Sequence, residues 1–137
     1  MTTISTLSTA QIAALSTAAI AALTTADIRS LTTAQIPALT VTQLAVLSTA
    51  QIAALINLQT AALTTAQVAA LSTTQVDALT VSAMGGLTSA AIVALTTGQV
   101  AALDSAQLAA ISTAAIAQIE AGDISYLTTA ALKGLTT

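Results

Sequence analysis

Apolar and polar residues repeat along this chain with a period of eight. The stretch from Leu7 to Leu15 reads LSTAQIAAL, and the next octad begins on that same Leu15. With the octad positions lettered a to h from Leu7, position a is Leu or Ile every eight residues up to Leu135, without an insertion or deletion. Position f is apolar apart from Thr60. About seventeen consecutive octads therefore make up the chain.

The other positions of the octad are nearly as regular. Position b is Ser or Thr, apart from Asp104, Glu120 and Ile56, and position c is mostly Thr. Position e is mostly Gln or Ala, and positions d and h are mostly Ala. Position g is the most variable and includes Arg29 and Asp77. We therefore expect position g to face solvent, and the small residues at d and h to let neighbouring elements approach closely.

A period of eight fits neither a continuous helix nor a continuous strand. At about 100° per residue, eight residues drift by about 80° on a helix, so the leucines would circle it within about five octads. In a strand, positions a and f would face opposite sides because they are an odd number of residues apart. Each octad is instead expected to contain one short element and a turn.

The octad carries the signals of a helix start. If Ser8 is the N-cap, Gln11 stands at the third helical position, and the pattern S-x-x-Q is a capping box. Leu7 and Ile12 then form the apolar pair known as the hydrophobic staple. Asp104 at position b is another favourable N-cap. Since a cap recurs in every octad, each helix is limited to about six residues.

Helices this short are stable only when they stack. Burying one Leu or Ile contributes about 1.5–3 kcal/mol, whereas ordering the backbone costs about 1–2 kcal/mol per residue. Neighbouring octads must supply the remainder, as they do in a solenoid. The sequence therefore predicts an all-α solenoid with one helix and one turn per octad. Pro37 is expected to be a local defect because its ring removes a backbone hydrogen bond.

A β-solenoid is the alternative architecture. It is favoured by the many Thr, Ile and Val residues, which have high strand propensity. Ala, Leu and Gln favour helix instead. Tight strand-to-strand turns usually need Gly, Asn or Asp, and the chain has only five Gly and a single Asn, Asn57. The helical solenoid is the preferred prediction.

Composition narrows the functional classes. The 137 residues suffice for one domain, 1–137, whose octads are least regular over 118–137. Two basic and five acidic residues give a net charge of −3, so no basic patch is available to bind nucleic acid. Polar residues interrupt every octad, so no apolar run reaches the roughly 20 residues of a membrane-spanning helix. The start, MTTISTLSTA, lacks the basic and apolar regions of a signal peptide.

No group of residues in the sequence has the make-up of an active site. The chain contains no His or Cys, so the usual zinc sites and the Ser-His or Cys-His nucleophiles cannot form. Glu120 and Asp123 are close enough for an acid pair, but both occupy capping positions. Asp27 and Arg29 are expected to form a solvated pair, and Tyr126 to pack near the end. We expect no catalytic, cofactor-binding or metal site, and no enzymatic activity.

The repeat resembles a known class of sequence. LTTAQIPAL, residues 31–39, and LSTAQIAAL resemble the L-[ST]-T-A-Q-[IV]-A-A octapeptide repeats of very large bacterial surface and adhesin-like proteins. LTTAQVAAL, residues 63–71, is also similar to the first helix of the DNA-binding TAL effector repeat. However, the second helix and the base-reading loop of that family are missing from this chain.

The resemblance to surface proteins implies a structural role outside the cell or at its surface. Two forms of this role fit the repeat: a rigid spacer, or a subunit that assembles with itself, end to end or laterally, into filaments. An extracellular matrix or surface is the other expected partner. The alternative is a surface-binding module, in which a regular array of Thr side chains meets ice or a polysaccharide.

Overall fold

A computed structural model describes residues 3–111 and shows an all-α solenoid within that range. No strand occurs among these residues. The prediction of a helical solenoid is therefore confirmed for them, and the alternative prediction of a β-solenoid is wrong for them. Twelve short α-helices and two 3-10 helices follow one another along the chain. They are α1 Thr9–Ala14, α2 Thr17–Ala21, α3 Thr25–Ser30, α4 Val41–Ala45, α5 Thr49–Ala53, α6 Asn57–Ala61, α7 Thr65–Ala70, α8 Thr73–Ala78, α9 Val81–Gly86, α10 Ser89–Val93, α11 Thr97–Ala101 and α12 Ser105–Ala110, with 3-10 helices at Ile4–Thr6 and Ile36–Ala38.

Each described α-helix begins directly after position b, as the sequence predicts, and a Ser, Thr or Asp side chain at position b caps all of them except α6. The Ser8 hydroxyl accepts a hydrogen bond of 3.1 Å from the backbone N–H of Gln11, and the Gln11 side chain accepts one of 2.8 Å from the backbone N–H of Ser8. Asp104 caps α12 in the same way through a 2.7 Å bond from the Gln107 N–H. These bonds satisfy N–H groups that a helix start leaves without partners.

The turns between helices use extended backbone rather than left-handed backbone. Leu15, at φ −64° and ψ 141°, and Ser16, at φ −69° and ψ 155°, join α1 to α2. No described residue other than Gly has a positive φ, and no described Gly has one either. L-amino acids adopt the extended region freely, so the corners of the solenoid need no Gly or Asn. This explains how one chain makes so many turns with so few of those residues.

Three octads complete one turn of the solenoid. Each helix packs against the helix three octads further along, as α4 does against α7, α5 against α8, and α9 against α12. The f residues point into the centre, where Ile12, Ile52 and Leu108 are fully buried. The a leucines fill the corners and are buried from Leu31 onward. Every turn therefore repeats the packing of the turn before it.

Two expectations about the remaining positions hold and one fails. Position g lies mostly on the surface, as predicted, and Arg29 and Asp77 are exposed. Position h includes close helix contacts, seen at Gly86. The prediction that position d lies between helices is wrong, because every described d residue is exposed. At Pro37, the α-helix is replaced by the 3-10 helix Ile36–Ala38, which is the local defect that the sequence predicts.

Candidate functional site

The most prominent polar feature of the solenoid is a buried glutamine, which occurs at most of its corners. Gln75 illustrates its geometry. Its Oε1 accepts a 2.9 Å hydrogen bond from the N–H of Ser72, the N-cap of its own helix. Its Nε2 donates to the carbonyl oxygens of Leu44, at 2.8 Å, and Leu47, at 3.0 Å, in the preceding turn. One side chain thus caps its own helix and binds the C-terminal end of a helix four octads earlier.

We call this arrangement a glutamine bridge. It recurs with the same sequence separations, 31 and 28 residues, at every bridged corner. Each bridging glutamine is at most 4% exposed, and no buried side-chain nitrogen or oxygen in residues 3–111 lacks a hydrogen-bond partner. Both amide protons and the amide oxygen are used, which makes burial of this polar group favourable. The bridging residues are Gln35, Gln43, Gln51, Gln59, Gln67, Gln75, Gln99 and Gln107.

The residue at position e does not form a glutamine bridge in every octad. Gln11 is exposed and makes only the local capping-box bonds. Asp27 also caps locally, and Ala19 has no amide group to donate. Within the array, Ala83 and Ala91 are buried, so two successive corners there have no bridge. Sequence reasoning treated Gln at position e as a helix cap alone and missed its bonds to the preceding turn.

The exposed surface carries an ordered row of threonines. Thr25, Thr49, Thr73 and Thr97 are the first residues of α3, α5, α8 and α11, which stack on one another. All four are exposed. A methyl group built on Gly98 would lie 3.7 Å from the Thr73 Cγ2, so the start of α11 lies directly against that of α8. The four threonines therefore form a row of exposed hydroxyl and methyl groups on one face of the solenoid, which we call the threonine strip.

The first turn contains an apolar hollow. Its volume is about 290 Å³, and its lining includes Ile4 and the corner residues Leu7, Leu15 and Leu23. These three leucines are only half-buried, whereas the leucines of later corners are buried. The hollow has a single charged lining residue, Asp27, so its chemistry suits an apolar partner.

The described carboxylates act as caps or lie apart on the surface. The Thr24 backbone N–H and hydroxyl bond to the Asp27 carboxylate at 2.9 and 2.8 Å and hold the pKa of Asp27 below its ordinary value. The small stabilisation from these bonds is therefore lost as the pH falls through that lowered pKa. Arg29 is exposed nearby. Among residues 3–111, no three acidic, His or Cys side chains come close enough to hold a metal ion.

Glu120, Asp123 and Tyr126, which the sequence singled out, lie outside the described residues, as does the least regular segment, 118–137. For the part of the chain that is described, every helix is too short to cross a lipid bilayer.

Comparison with known proteins identifies the repeat. A family model described as the ALTTAQ repeat matches residues 20–57, 59–89 and 84–113. These matches cover more than half of the chain and follow the same octads that form the stacked helices. No curated protein and no solved structure matches the chain.

Proposed function

Since the chain belongs to the ALTTAQ repeat family, we propose that it is a structural repeat module without catalytic activity, acting as a rigid spacer at the cell surface or outside the cell. The resemblance of its octads to those of large bacterial surface proteins supports the location. The glutamine bridges support the rigidity. A spacer must keep its ends apart, and a stack whose turns are hydrogen-bonded at most corners resists bending and stretching better than one held by apolar contacts alone.

The glutamine bridge carries this proposal because it makes length modular. At each bridged corner, a bridge joins that corner to the corner one turn earlier through backbone carbonyls, which every sequence supplies. Removing or adding a whole turn therefore leaves every remaining glutamine with suitable acceptors. A spacer can change its length in this way without a new fold.

Deletion of residues 31–54, three complete octads, tests the spacer function. We expect the shortened chain to keep its helical circular dichroism per residue. Its maximum dimension, measured by small-angle X-ray scattering, should decrease by about 8–10 Å, the usual distance between packed helices. Deletion of residues 31–50, which breaks the octad register, is the matched control and should lose helical signal. If both deletions behave alike, modular length is not a property of this chain.

The apolar hollow in the first turn supports self-association, in which a second copy of the chain binds there. The hollow at Leu7, Leu15 and Leu23 offers apolar surface of the kind that each later turn covers with its neighbour. We expect the scattering mass in the same experiment to rise with protein concentration. Leu7→Lys combined with Leu15→Lys should abolish that rise. A constant mass equal to one chain at all concentrations would leave a spacer that does not assemble.

A second candidate function is binding to a regular surface, which the threonine strip favours. The capping bonds use the hydroxyls at position b, but those of Thr49 and Thr73 at position c face solvent. Ice and polysaccharides are the expected ligands. Thermal hysteresis and polysaccharide pull-down of the intact chain test this function, with Thr49→Lys and Thr73→Lys expected to abolish any signal. Thr9→Lys and Thr17→Lys, on other faces, should preserve it, and no signal from the unmodified chain would eliminate this function.

A further inference from the structure

Two adjacent corners of the solenoid lack their glutamine bridges. At Ala83 and Ala91, position e has no amide, so the carbonyl oxygens four octads earlier receive no glutamine donor. By the separations of the other bridges, those acceptors are the oxygens of Ile52 and Leu55 for the first corner and of Thr60 and Leu63 for the second. The corners on either side of this pair, at Gln75 and Gln99, are bridged normally.

A different contact joins the turns at the same place. Thr60, the polar exception at position f, is fully buried, and its hydroxyl donates a 2.7 Å hydrogen bond to the carbonyl oxygen of Ala83 in α9. A methyl group at Gly86 would collide with the carbonyl oxygen of Asn57 and with the Thr60 hydroxyl. Helices α6 and α9 therefore approach so closely that only glycine fits between them.

The start of α6 also departs from the usual cap. Its N-cap residue is Ile56, which has no polar side chain, so the hydroxyl cap found in most other octads is absent. Gln59 still accepts a 3.0 Å bond from the Ile56 N–H, which satisfies one of the unpaired groups at this helix start. The Asn57 Oδ1 accepts a 2.9 Å bond from the Leu58 N–H, so a neighbouring amide takes the place of the missing hydroxyl cap.

We infer that these features form a joint within the solenoid, with α6 and α7 on one side and α9 and α10 on the other. The close α6–α9 contact is the line about which the two sides turn, because the Thr60 hydrogen bond and the extensive packing of α6 against α9 keep these two helices together. The two corners without bridges are where the sides separate. The joint is a property of the stack itself and does not depend on the proposed spacer function.

Native-state hydrogen exchange of the intact chain tests the joint. We expect the backbone amides of α9 and α10 to exchange at least about tenfold faster than those of α4 and α5, where every corner is bridged. Ala91→Gln should supply the missing cap acceptor and the missing donors and should slow exchange in α10 by about tenfold. Equal exchange rates in the four helices of the unmodified chain would overturn the inference.

Two further variants separate a joint from a general change in stability. Ala19→Gln places the same side chain at position e of α2, several turns of the solenoid away from the two corners without bridges, and so controls for the substitution itself. It should leave exchange in α10 unchanged. Gln51→Ala removes a bridge from a regular corner and should accelerate exchange in α5 to the rate of α10. If Gln51→Ala leaves α5 slow, or Ala19→Gln slows α10, bridges do not set local opening and no joint exists.

Discussion

Gln75→Glu is expected to lower the free energy of unfolding by about 3–5 kcal/mol at neutral pH, although it replaces a single amide by a carboxylate of the same shape. The new carboxylate still accepts from the Ser72 N–H. It has no protons to donate, however, and it faces the carbonyl oxygens of Leu44 and Leu47 at about 3 Å in a site that is 4% exposed. An uncompensated charge is therefore buried against two acceptors. Urea denaturation followed by circular dichroism measures the loss.

The matched control is the same substitution at Gln11, which is exposed and has only local capping bonds. A carboxylate at the third position of a helix is favoured by the helix dipole, so Gln11→Glu should be neutral or slightly stabilising. The Gln75→Glu defect should also depend on pH. Burial raises the pKa of the introduced carboxyl above its unfolded value, so the penalty is complete above the raised pKa and disappears below about pH 4. Equal effects of the two substitutions would show that the bond to the preceding turn contributes nothing.

Leu71→Ala is expected to cost about 2–5 kcal/mol, because Leu71 fills a corner between stacked turns and is 5% exposed. The loss combines the transfer energy of the removed methyl groups with the cavity that they leave. Since the turns are coupled, the damage should be shared by the octads on both sides. Urea denaturation measures this cost as well.

Ala69→Ser, two residues earlier and in the preceding octad, is the control for Leu71→Ala. Ala69 occupies position g and is exposed, so a hydroxyl there should change stability by less than about 0.5 kcal/mol. If the two substitutions cost the same, the assignment of position a to the core and of position g to the surface is wrong.

The helices and their starts could be predicted from the sequence because their causes are local. The cap at Ser8, the acceptor at Gln11 and the staple of Leu7 with Ile12 lie within six residues of one another, and each acts on its own helix. A pattern repeated in every octad then fixes the class of architecture. The number of octads per turn depends instead on contacts between residues 24 or more apart. Because all octads are nearly alike, the sequence does not indicate which octads contact each other.

The sequence contained an indication that glutamine bonds to the preceding turn, although the capping box by itself offered an explanation for glutamine at position e. Glu would serve equally well as the acceptor in a capping box and better at the positive end of a helix. Nevertheless, no described octad has Glu at position e, where Gln is the commonest residue. The difference between the two side chains is the pair of amide protons. A position that accepts Gln but not Glu therefore indicates donors in use, and the acceptors are the carbonyls of the preceding turn.

The contact between Thr60 and Gly86 could not be read from either residue alone. Thr60 looks like a flaw in the apolar row and Gly86 like an ordinary small residue at position h. Only the stacking of α6 on α9 shows that the glycine makes room for the approach that the threonine hydrogen bond requires. A matched pair of this kind can be recognised in the sequence once the number of helices per turn is known, because that number determines which octads contact each other.

The central claim is that buried glutamines hold each turn of the solenoid to the turn before it, and hydrogen exchange of the glutamine side-chain amides tests it most directly. In NMR spectra of the intact chain, we expect the Nε2 protons of the bridging glutamines, such as Gln43 and Gln67, to exchange far more slowly than those of Gln11, which serves as the exposed reference in the same molecule. Slow exchange at the bridging positions alone is the predicted result. Exchange of Gln43 and Gln67 at the rate of Gln11 would contradict the claim.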